Sequence, residues 1–399
     1  MNLKKLISEN GKPDILIDNY NNRLNKGIAI WGILDKITFD YNGIKKNNRI
    51  INSDPLNFLD ITIKEWKNDS NDIAAVGFIS YDIKNYLYPH IRFKESKQLP
   101  YYWFIRPAKI AYYDINSFIN VNPTPCLQLK KNILDIKSFS NKIKRIKKVL
   151  EEGNAYQINF TMEKTFNINK TPFELYLMMR NISKPEFGYY INMENKQILS
   201  FSPEQFFNSK DSIVKSYPMK GTRPRSNNLK EDNNLKEELK KSKKDKAEHL
   251  MIVDLLRNDI GKFSKFGSVK VANLFNVKSY ETVHQMVSEI KGNMIENIEI
   301  SDIIRSLCPG GSITGAPKES AMKIIDDLEN YNRGIYTGSI GHIKNNGEMN
   351  FNIAIRTMYI DNNIASYPVG GGIVWDSNSN DEWNEAQLKS KILDKCIIS

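Results

Sequence analysis

The sequence has few cysteines and no long apolar run, and both shortages limit what kind of protein it encodes. Its three cysteines, Cys126, Cys308 and Cys396, are far apart, odd in number and not spaced as zinc ligands. This pattern predicts buried free thiols in a reducing compartment. No apolar segment has transmembrane length, and the first twenty residues contain no signal-peptide core. We therefore expect a soluble, cytoplasmic protein that does not bind membranes.

Motifs for nucleotides and nucleic acids are also absent. There is no Gly-x-Gly-x-x-Gly run or phosphate loop, which argues against a nucleotide cofactor. The formal net charge is +11, but the lysines concentrate in segments 137–148 and 230–246 without interleaved aromatic residues. We interpret the excess as a bias of composition and expect no nucleic-acid partner. A positive balance can still steer a small dianionic substrate to its cleft.

The 399 residues, 40% of them apolar, are enough to bury a large core in one domain or two. Short strand-like runs fill the first part of the chain, and Pro123 and Pro125 follow them. An amphipathic segment with helical spacing comes next. We therefore predict an N-terminal region, 1–128, and a second region, 129–399, that together form one continuous structural unit.

Turn residues separate several strand-like runs in the second region. Asn345-Asn346-Gly347 and Asp361-Asn362-Asn363 lie between apolar segments, as in antiparallel strands joined by tight turns. Helical patterns occupy residues 173–180, 246–257, 317–331 and 381–394. Antiparallel strands with helices between them predict an α+β fold and argue against a doubly wound sheet.

One lysine is placed where catalytic groups are common. An alternating strand leads into Ser-Tyr-Pro-Met-Lys-Gly-Thr-Arg-Pro-Arg, residues 216–225, so that Lys220 lies at the strand end beside a Gly-Thr turn. A rigid strand holds such a side chain at the edge of a cleft. Taken alone, most lysines at strand ends are solvated surface charges.

Carboxylates and glycines form further candidate sites. Glu382 and Glu385 share a helix face with Lys389, and Glu248 opens another helix. Each is typical of a solvated face, but two carboxylates from different helices suit a Mg²⁺ ion that keeps waters and binds an anionic substrate. The spacing does not show whether these helices meet.

Two glycine-rich stretches carry open alternatives. Gly370-Gly371-Gly372 lies within a strand pattern and indicates either close approach of the backbone to a ligand, or a bulge or tight packing. The stretch 308–318 precedes an amphipathic helix, with Ser312 or Thr314 expected at the helix start. A glycine-rich entry to a helix offers N–H groups to an anion, although it can also be a capped helix and nothing more.

Together these stretches resemble the chorismate-utilising enzyme family in ten blocks that follow the family's order. The N-terminal part resembles the family less closely, through Gly77-Phe-Ile-Ser-Tyr-Asp82. The resemblance implies an α+β unit of two antiparallel β-sheets with helices packed outside. The ten blocks are residues 155–160, 202–206, 218–225, 248–259, 281–288, 311–318, 334–338, 352–357, 370–376 and 382–389.

The resemblance also implies a role for each matching residue. Glu248 and Glu385 would bind Mg²⁺, which would hold the substrate's ring carboxylate, and Glu382 would lie outside the direct ligands. Glu204 would be the general acid at the leaving hydroxyl, because hydroxide leaves poorly without a proton. His284 would share that neighbourhood, although a lone histidine is more often structural. The expected substrate-binding residues are Arg356, Lys389, Gly370, Gly371, Gly372, Tyr336, Ser312, Thr314 and Gln157.

Two positions separate the branches of this family. Relatives that add water to chorismate usually have a lysine base where this chain has Gln157, and a neutral amide cannot activate water. Aminodeoxychorismate synthases have a lysine at the position of Lys220, where anthranilate synthases usually have alanine. The resemblance therefore implies amination at ring carbon 4 through a covalent Lys220 adduct. We expect burial and neighbouring cations, including the metal and Arg223 or Arg225, to lower the pKa of Lys220.

The ammonia must come from another protein, because no cysteine has a glutaminase-like setting. The resemblance implies a separate glutamine amidotransferase subunit and a product, 4-amino-4-deoxychorismate, that enters 4-aminobenzoate and folate synthesis. Anthranilate synthesis is the nearest alternative. A non-catalytic or nucleic-acid-binding protein is a more remote one.

Overall fold

The computed structural model describes residues 1–20, 26–67, 71–117, 121, 123–132, 135–280 and 283–398. Within these ranges the chain forms ten α-helices, twenty strands and three short 3₁₀ helices. The α-helices are α1 Leu3–Asn10, α2 Pro55–Trp66, α3 Lys84–Leu87, α4 Ile136–Glu151, α5 Pro172–Ser183, α6 Leu229–Lys241, α7 Lys243–Gly261, α8 Ile300–Leu307, α9 Lys318–Leu328 and α10 Ser379–Ser390. The 3₁₀ helices are Tyr81–Ile83, Gly311–Ile313 and Lys391–Cys396.

The strands are numbered in chain order. They are β1 Ile15–Asp18, β2 Lys26–Asp40, β3 Gly43–Lys46, β4 Arg49–Ile51, β5 Ile73–Ile79, β6 Tyr102–Asp114, β7 Leu127–Asn132, β8 Gln157–Ile168, β9 Phe187–Met193, β10 Lys196–Ser202, β11 Gln205–Lys210, β12 Ile213–Ser216, β13 Met219–Pro224, β14 Lys270–Ser279, β15 Val283–Asn293, β16 Gly315–Ala316, β17 Ser339–Lys344, β18 Met349–Ile353, β19 Thr357–Asp361 and β20 Ile364–Ile373.

The ladders between these strands are antiparallel and form two series. One series runs from β15 through β12, β11, β18, β17 and β5 to β6, with β13 and β14 also paired to β15. The other runs from β1 through β9, β10, β19 and β20 to β8. The long strand β2 pairs with both β6 and β1, so it joins the two sheets. The predicted α+β fold with antiparallel sheets is confirmed.

Apolar side chains fill the space between the two sheets and cover their outer faces. The inner cluster combines one face of β1, β9 and β10 with one face of β5, β6 and β17. Alternate residues of the same strands point outward, because successive side chains in a strand lie on opposite faces. Helices α4, α5, α9 and α10 pack on one outer face, and α2, α7 and α8 pack on the other. The helices therefore lie outside the sheets, as predicted.

Strands from both predicted regions are joined by backbone hydrogen bonds. Strand β1 pairs with β9, and β5 pairs with β17. Residue 128 lies within β7, which pairs with β8. The division into residues 1–128 and 129–399 stays a prediction. In the described part of the chain, no helix is long and apolar enough to cross a membrane.

The helices that border the candidate site begin at polar caps. Ser242 accepts a hydrogen bond from Asp245 N at the start of α7, and Asn378 does the same for Asn380 N at the start of α10. Such caps satisfy backbone N–H groups that have no partner within the helix. Helix α9 ends at Leu328, earlier than the predicted residue 331, because Glu329 is extended and directs its carboxylate to buried partners.

The inner apolar cluster allows a test of the packing. Ile198 is fully buried between the sheets, whereas Ile50 is 75% exposed. We expect Ile198→Ala to lower the free energy of unfolding by about 2–5 kcal/mol, since it removes buried methyl groups and leaves a cavity. Ile50→Ala should change it by less than about 0.5 kcal/mol. Urea unfolding of both variants measures the difference, and equal effects would contradict the packing described.

Candidate active site

Strand β20 carries the three glycines against β8 in an uninterrupted ladder. Gly370, Gly371 and Gly372 pair with Thr161, Phe160 and Asn159, and the register does not shift, so the bulge alternative is wrong. A Cβ at Gly370 would lie 2.2 Å from the Phe160 carbonyl oxygen, which no side chain tolerates. Glycine therefore allows the two strands to approach closely here.

Charged groups surround the other two glycines. A Cβ at Gly371 would lie 3.4 Å from Lys389 Nζ and 3.5 Å from Glu385 Oε1. At Gly372 it would lie 3.0 Å from Gln157 Nε2 and 3.1 Å from Lys220 Nζ. The backbone of this strand thus passes directly beside ionisable side chains, with no side chain of its own between them.

Helix α10 supplies a lysine and two carboxylates on the face that packs against β20. Lys389 Nζ donates a hydrogen bond to the Gly370 carbonyl at 2.7 Å and pairs with Glu385 at 2.7 Å. Ser377 Oγ donates to Glu382 at 2.6 Å. Burial raises the pKa of Glu382, as does the charge of Glu385. Burial would also raise the pKa of Glu385, but Lys389 outweighs it, so the net direction is downward.

Helix α7 brings a third carboxylate to the same cleft. Burial raises the pKa of Glu248, the charges of Lys220 and Lys244 oppose this, and the charge of Glu385 adds to it. Glu248 and Glu385 therefore interact electrostatically although they belong to different helices. The sequence spacing left open whether α7 and α10 meet, and the fold brings these two carboxylates close enough for their charges to interact.

These carboxylates are the residues that could hold a metal. Among the described residues, no group of three or more His, Cys, Asp or Glu side chains forms a metal site by itself. Mg²⁺ in proteins often uses only one or two carboxylates and completes its shell with water and substrate oxygens. The negative charges of Glu248 and Glu385 repel each other, and a bound divalent cation would neutralise this repulsion. The donor set therefore fits a water-rich Mg²⁺ site.

Lys220 lies at the junction of these groups. It precedes Gly221, whose φ of 70° turns the chain within β13. In the part of the chain that the structure describes, its ammonium group has no ion pair or hydrogen bond. Burial lowers the pKa of Lys220, and Lys389 lowers it further, against the opposing charge of Glu248. Because its pKa is lowered, a larger fraction of Lys220 is the neutral amine, the form in which a lysine is nucleophilic.

The cations that lower this pKa differ from those expected. Arg223 pairs with Glu238 at 2.8 Å and with Asp245 at 3.2 Å. Arg225 pairs with Asp232 at 2.8 Å. Both arginines are neutralised by these carboxylates, so the prediction that they act on Lys220 was wrong, and Lys389 takes that role.

Gln157 faces Lys220 with an amide that has no partner. The side chain is fully buried, and neither its Nε2 nor its Oε1 makes a hydrogen bond to a described residue. A buried polar atom without a partner costs about 1–3 kcal/mol. An amide left in this state can bond a ligand that enters the cleft.

Glu204, between β10 and β11, is a carboxyl group suited to proton transfer. Burial raises its pKa to about 7, against the charges of Lys220 and Lys389. Its backbone N–H donates to Ser202 Oγ at 3.1 Å, and its carbonyl accepts from Ile353 N at 3.0 Å. Residues at the ends of β10 and β18 thus fix the backbone that carries this acid.

His284 is held away from a free catalytic role. Its Nε2 lies 3.0 Å from Asp232 Oδ1, and its Nδ1 lies 2.9 Å from Ser279 Oγ. Both ring nitrogens are therefore engaged, and no described contact joins His284 to Glu204 or Lys220. Glu281 and Thr282, which belong to the same sequence block, lie outside the described residues.

The remaining predicted residues have mixed environments. Arg356 has a positive φ of 49° and an exposed side chain without a partner among the described residues. Strained backbone of this kind is common at functional sites. Tyr336 is buried. Ser312 and Thr314 do not lie at a helix start as expected, because α9 begins only at Lys318; Thr314 Oγ instead donates to the Gly310 carbonyl at 2.8 Å.

The sequence did not predict a buried ion pair that holds strand β8 next to the site. Glu329 and Arg333 form a buried ion pair at 2.7 Å, and Thr161 donates to the same glutamate. The spacing of four residues between Glu329 and Arg333 was a visible signal. Neither residue was singled out, because nothing in the sequence indicated that the pair is buried.

Comparisons with known proteins agree on the class of enzyme. The sequence profile described as chorismate binding enzyme matches residues 123–395. Anthranilate synthase component 1 of Saccharolobus solfataricus is 34% identical over 382 residues, 90% of this chain and 89% of that protein. Aminodeoxychorismate synthase component 1 of Bacillus subtilis is 35% identical over 259 residues, 65% of this chain and 55% of that protein.

A solved structure shows the same fold over nearly the whole chain. Anthranilate synthase component I from Streptococcus pneumoniae superposes with a TM-score of 0.83, covering 93% of this chain and 92% of that chain, at 26% sequence identity. The protein belongs to the chorismate binding enzyme family and is a chorismate-utilising enzyme, as the sequence motifs predicted. Relatives named anthranilate synthase and relatives named aminodeoxychorismate synthase match at similar identity, so the comparisons do not separate these two branches of the family.

The raised pKa of Glu204 predicts a pH-dependent stability. The folded state holds the Glu204 proton up to about pH 7, whereas the unfolded chain loses it near its ordinary pKa of about 4.3. Stability therefore falls as pH rises through this window. Relative to that of the native protein, the free energy of unfolding of Glu204→Gln should therefore increase by on the order of 1 kcal/mol between pH 5 and pH 8. The expected change is this small because solvent reaches part of the Glu204 side chain.

Urea unfolding at both pH values measures this change. Glu296→Gln is the control, because the Glu296 side chain is 88% exposed. A pH dependence of Glu204→Gln that equals that of the control would contradict the assignment.

Proposed function

We propose that the protein aminates chorismate at ring carbon 4 to give 4-amino-4-deoxychorismate, as an aminodeoxychorismate synthase component 1. The observation that carries this proposal is the position of Lys220 Nζ, which lies beside Gly372 and near the Gln157 amide. Its pKa is lowered, and it has no partner among the described residues. An alanine at this position would leave no nucleophile for a covalent route. Relatives named aminodeoxychorismate synthase component 1 are among the matches, although the comparisons do not separate this branch from anthranilate synthesis.

The first step forms a covalent adduct. The neutral Lys220 amine attacks ring carbon 2, the two conjugated ring double bonds shift, and the C–O bond at carbon 4 breaks. Glu204 gives its proton to the departing hydroxyl, which leaves as water. Free lysine titrates at about 10.4, so this step depends on the burial that lowers the pKa of Lys220. The opposite shift of Glu204 keeps the acid protonated near neutral pH.

The second step releases the lysine. Ammonia attacks carbon 4, the two double bonds shift back, and the bond between carbon 2 and Lys220 breaks. The proton lost by ammonia goes to the Glu204 carboxylate, which restores the acid. The sum is chorismate and ammonia giving aminodeoxychorismate and water. Gln157 offers an amide to the incoming groups but no base, which disfavours attack by water.

The anionic substrate needs cations in the cleft. When bound, Mg²⁺ would supply a positive charge for the ring carboxylate, held by Glu248 and Glu385 with Glu382 nearby. Lys389 and Arg356 would bind carboxylates, and the arginine fork suits both oxygens of one group. Tyr336, Ser312, Thr314 and the amides of residues 370–372 would complete the substrate contacts. His284 would act only through its neighbours.

The ammonia is proposed to come from a separate glutamine amidotransferase subunit. Cys126, Cys308 and Cys396 are all buried, and burial raises the pKa of Cys308 to about 12. A glutaminase needs an accessible thiolate. Burial therefore disfavours glutamine hydrolysis by these thiols, which supports a partner that provides ammonia for 4-aminobenzoate and folate synthesis in the cytoplasm.

Anthranilate synthesis is the second candidate. The relative from Saccharolobus solfataricus is named anthranilate synthase component 1, and the match covers 90% of this chain, more than the 65% covered by the Bacillus subtilis protein. This alternative predicts amination at ring carbon 2 and loss of pyruvate, with Lys220 as a bystander.

A product assay distinguishes the two candidates. Native protein with chorismate, Mg²⁺ and ammonium is expected to form aminodeoxychorismate, detected by mass spectrometry, without anthranilate fluorescence. Lys220→Ala should lower this turnover by a factor of about 100 or more, since the nucleophile is lost. Lys215→Ala is the control, because Lys215 pairs with Glu289 at 3.1 Å outside the site.

Two results would count against the proposal. Anthranilate as the main product would assign the chain to the other branch. Unchanged amination at carbon 4 by Lys220→Ala would exclude the covalent route while leaving the product assignment intact.

The metal proposal has its own test. We expect Glu385→Gln and Glu248→Gln each to raise the Mg²⁺ concentration for half-maximal turnover about tenfold or more, since each removes an anionic ligand. Glu296→Gln again serves as the exposed control. Turnover measured across a Mg²⁺ titration decides the point, and an unchanged midpoint in both variants would remove these glutamates from the metal site.

A further inference from the structure

Arg333 forms a buried ion pair next to strand β8, the strand that pairs with the three glycines of β20. Its Nε and Nη2 donate to the two carboxylate oxygens of Glu329 at 2.9 and 2.7 Å. Both side chains are almost completely buried, at 1% and 2% exposure. A bidentate pair of this kind fixes the plane of the guanidinium as well as its position.

The other donors of Arg333 reach three separate segments. Nη1 donates to the Ile313 carbonyl at 2.8 Å and to Thr337 Oγ1 at 3.2 Å. Nη2 donates to the Asn159 carbonyl at 2.6 Å. One planar group therefore fixes the distances between the loop at 310–314, the turn after Tyr336 and strand β8.

Glu329 adds a second connection to the same strand. Its Oε1 accepts hydrogen bonds from Thr161 N at 2.8 Å and Thr161 Oγ1 at 2.7 Å. Tyr331 Oη lies 2.5 Å from the same hydroxyl. Strand β8 is thus held at two alternate residues, Asn159 and Thr161, which pair with Gly372 and Gly370 of β20.

Each segment held in this way carries residues assigned to the substrate. Strand β8 begins with Gln157, the loop contains Ser312 and Thr314 on either side of Ile313, and Tyr336 precedes Thr337. Thr337 has a positive φ of 60°, which costs energy for a β-branched residue and persists only where the surroundings hold it. The bond from Arg333 to its hydroxyl is one such constraint.

We propose that Glu329 and Arg333 form a positioning pair that sets the geometry of the chorismate site without touching the substrate. The inference rests on the proposed use of Gln157, Ser312, Thr314 and Tyr336 in substrate binding. Lysine cannot replace the arginine here, because one ammonium group cannot reach Glu329, Asn159 and Ile313 in the geometry of a planar fork.

The test compares two buried arginines. Arg333→Lys is expected to raise the KM for chorismate about tenfold or more, with a smaller change in kcat. Arg180→Lys is the matched control, because Arg180 is also buried, pairs with Asp18 at 3.1 Å and donates to the Ile115 carbonyl at 3.0 Å, and none of its contacts with described residues involves a segment of the site. It should lower thermal stability to a similar extent and leave KM unchanged.

A milder variant keeps the proposal testable if Arg333→Lys does not fold. Thr161→Val keeps the shape of the side chain and removes one donor to Glu329. It should raise KM about two- to fivefold. An unchanged KM in Thr161→Val, or equal KM values for Arg333→Lys and Arg180→Lys at equal loss of stability, would overturn the proposal.

Amide hydrogen exchange separates this inference from the proposed function. Exchange at Thr161 and in segment 311–314 should be faster in Arg333→Lys and unchanged in Arg180→Lys, a comparison that needs no substrate. If the native protein does not turn over chorismate, the proposed function fails while the exchange result still decides the role of the pair. Unchanged exchange in Arg333→Lys would refute that role even in an active enzyme.

Discussion

The close pairing of β8 with β20 is the constraint on which the site depends. Ten residue pairs join these strands without a shift in register, and Gly370 permits a separation that any side chain would prevent. Because the strands are this close, the Gln157 amide and Lys220 reach the backbone of Gly372, and Lys389 reaches the carbonyl of Gly370. A side chain at Gly370 would separate the strands and disperse these groups.

The charged side chains near Gly371 and Gly372 shift one another's pKa values. Burial disfavours every charged group in the cleft, so it raises the pKa of Glu204 and Glu248 and lowers that of Lys220. Opposite charges nearby limit these shifts, but burial outweighs them and leaves the Glu204 acid and the Lys220 amine with pKa values closer together than in water. That is the condition for proton transfer and nucleophilic attack near neutral pH. The Gln157 amide, which has no hydrogen-bond partner among the described residues, is left able to bind a ligand beside these charges.

Local patterns predicted the elements better than their ends. The apolar periodicity at residues 173–180 and 246–257 lies within α5 and α7. The helix predicted to reach residue 331 ends at Leu328, because a buried carboxylate partner at Glu329 outweighs helical propensity. Ser312 and Thr314 were misplaced for a related reason, since a 3₁₀ turn and β16 intervene before α9. In each case tertiary contacts, which the local sequence does not encode, decided the boundary.

By itself the sequence determined the family, the antiparallel α+β class and the identity of the ionisable residues, because motif order, turn residues and apolar periodicity are properties of the chain. Only the tertiary structure decided which of those residues share an environment. It brought Glu248 and Glu385 to one cleft, paired Arg223 and Arg225 away from Lys220, engaged both nitrogens of His284 and buried Arg333 against Glu329. Burial and proximity set the pKa of each group and the partners it finds, and both arise only when distant segments pack together.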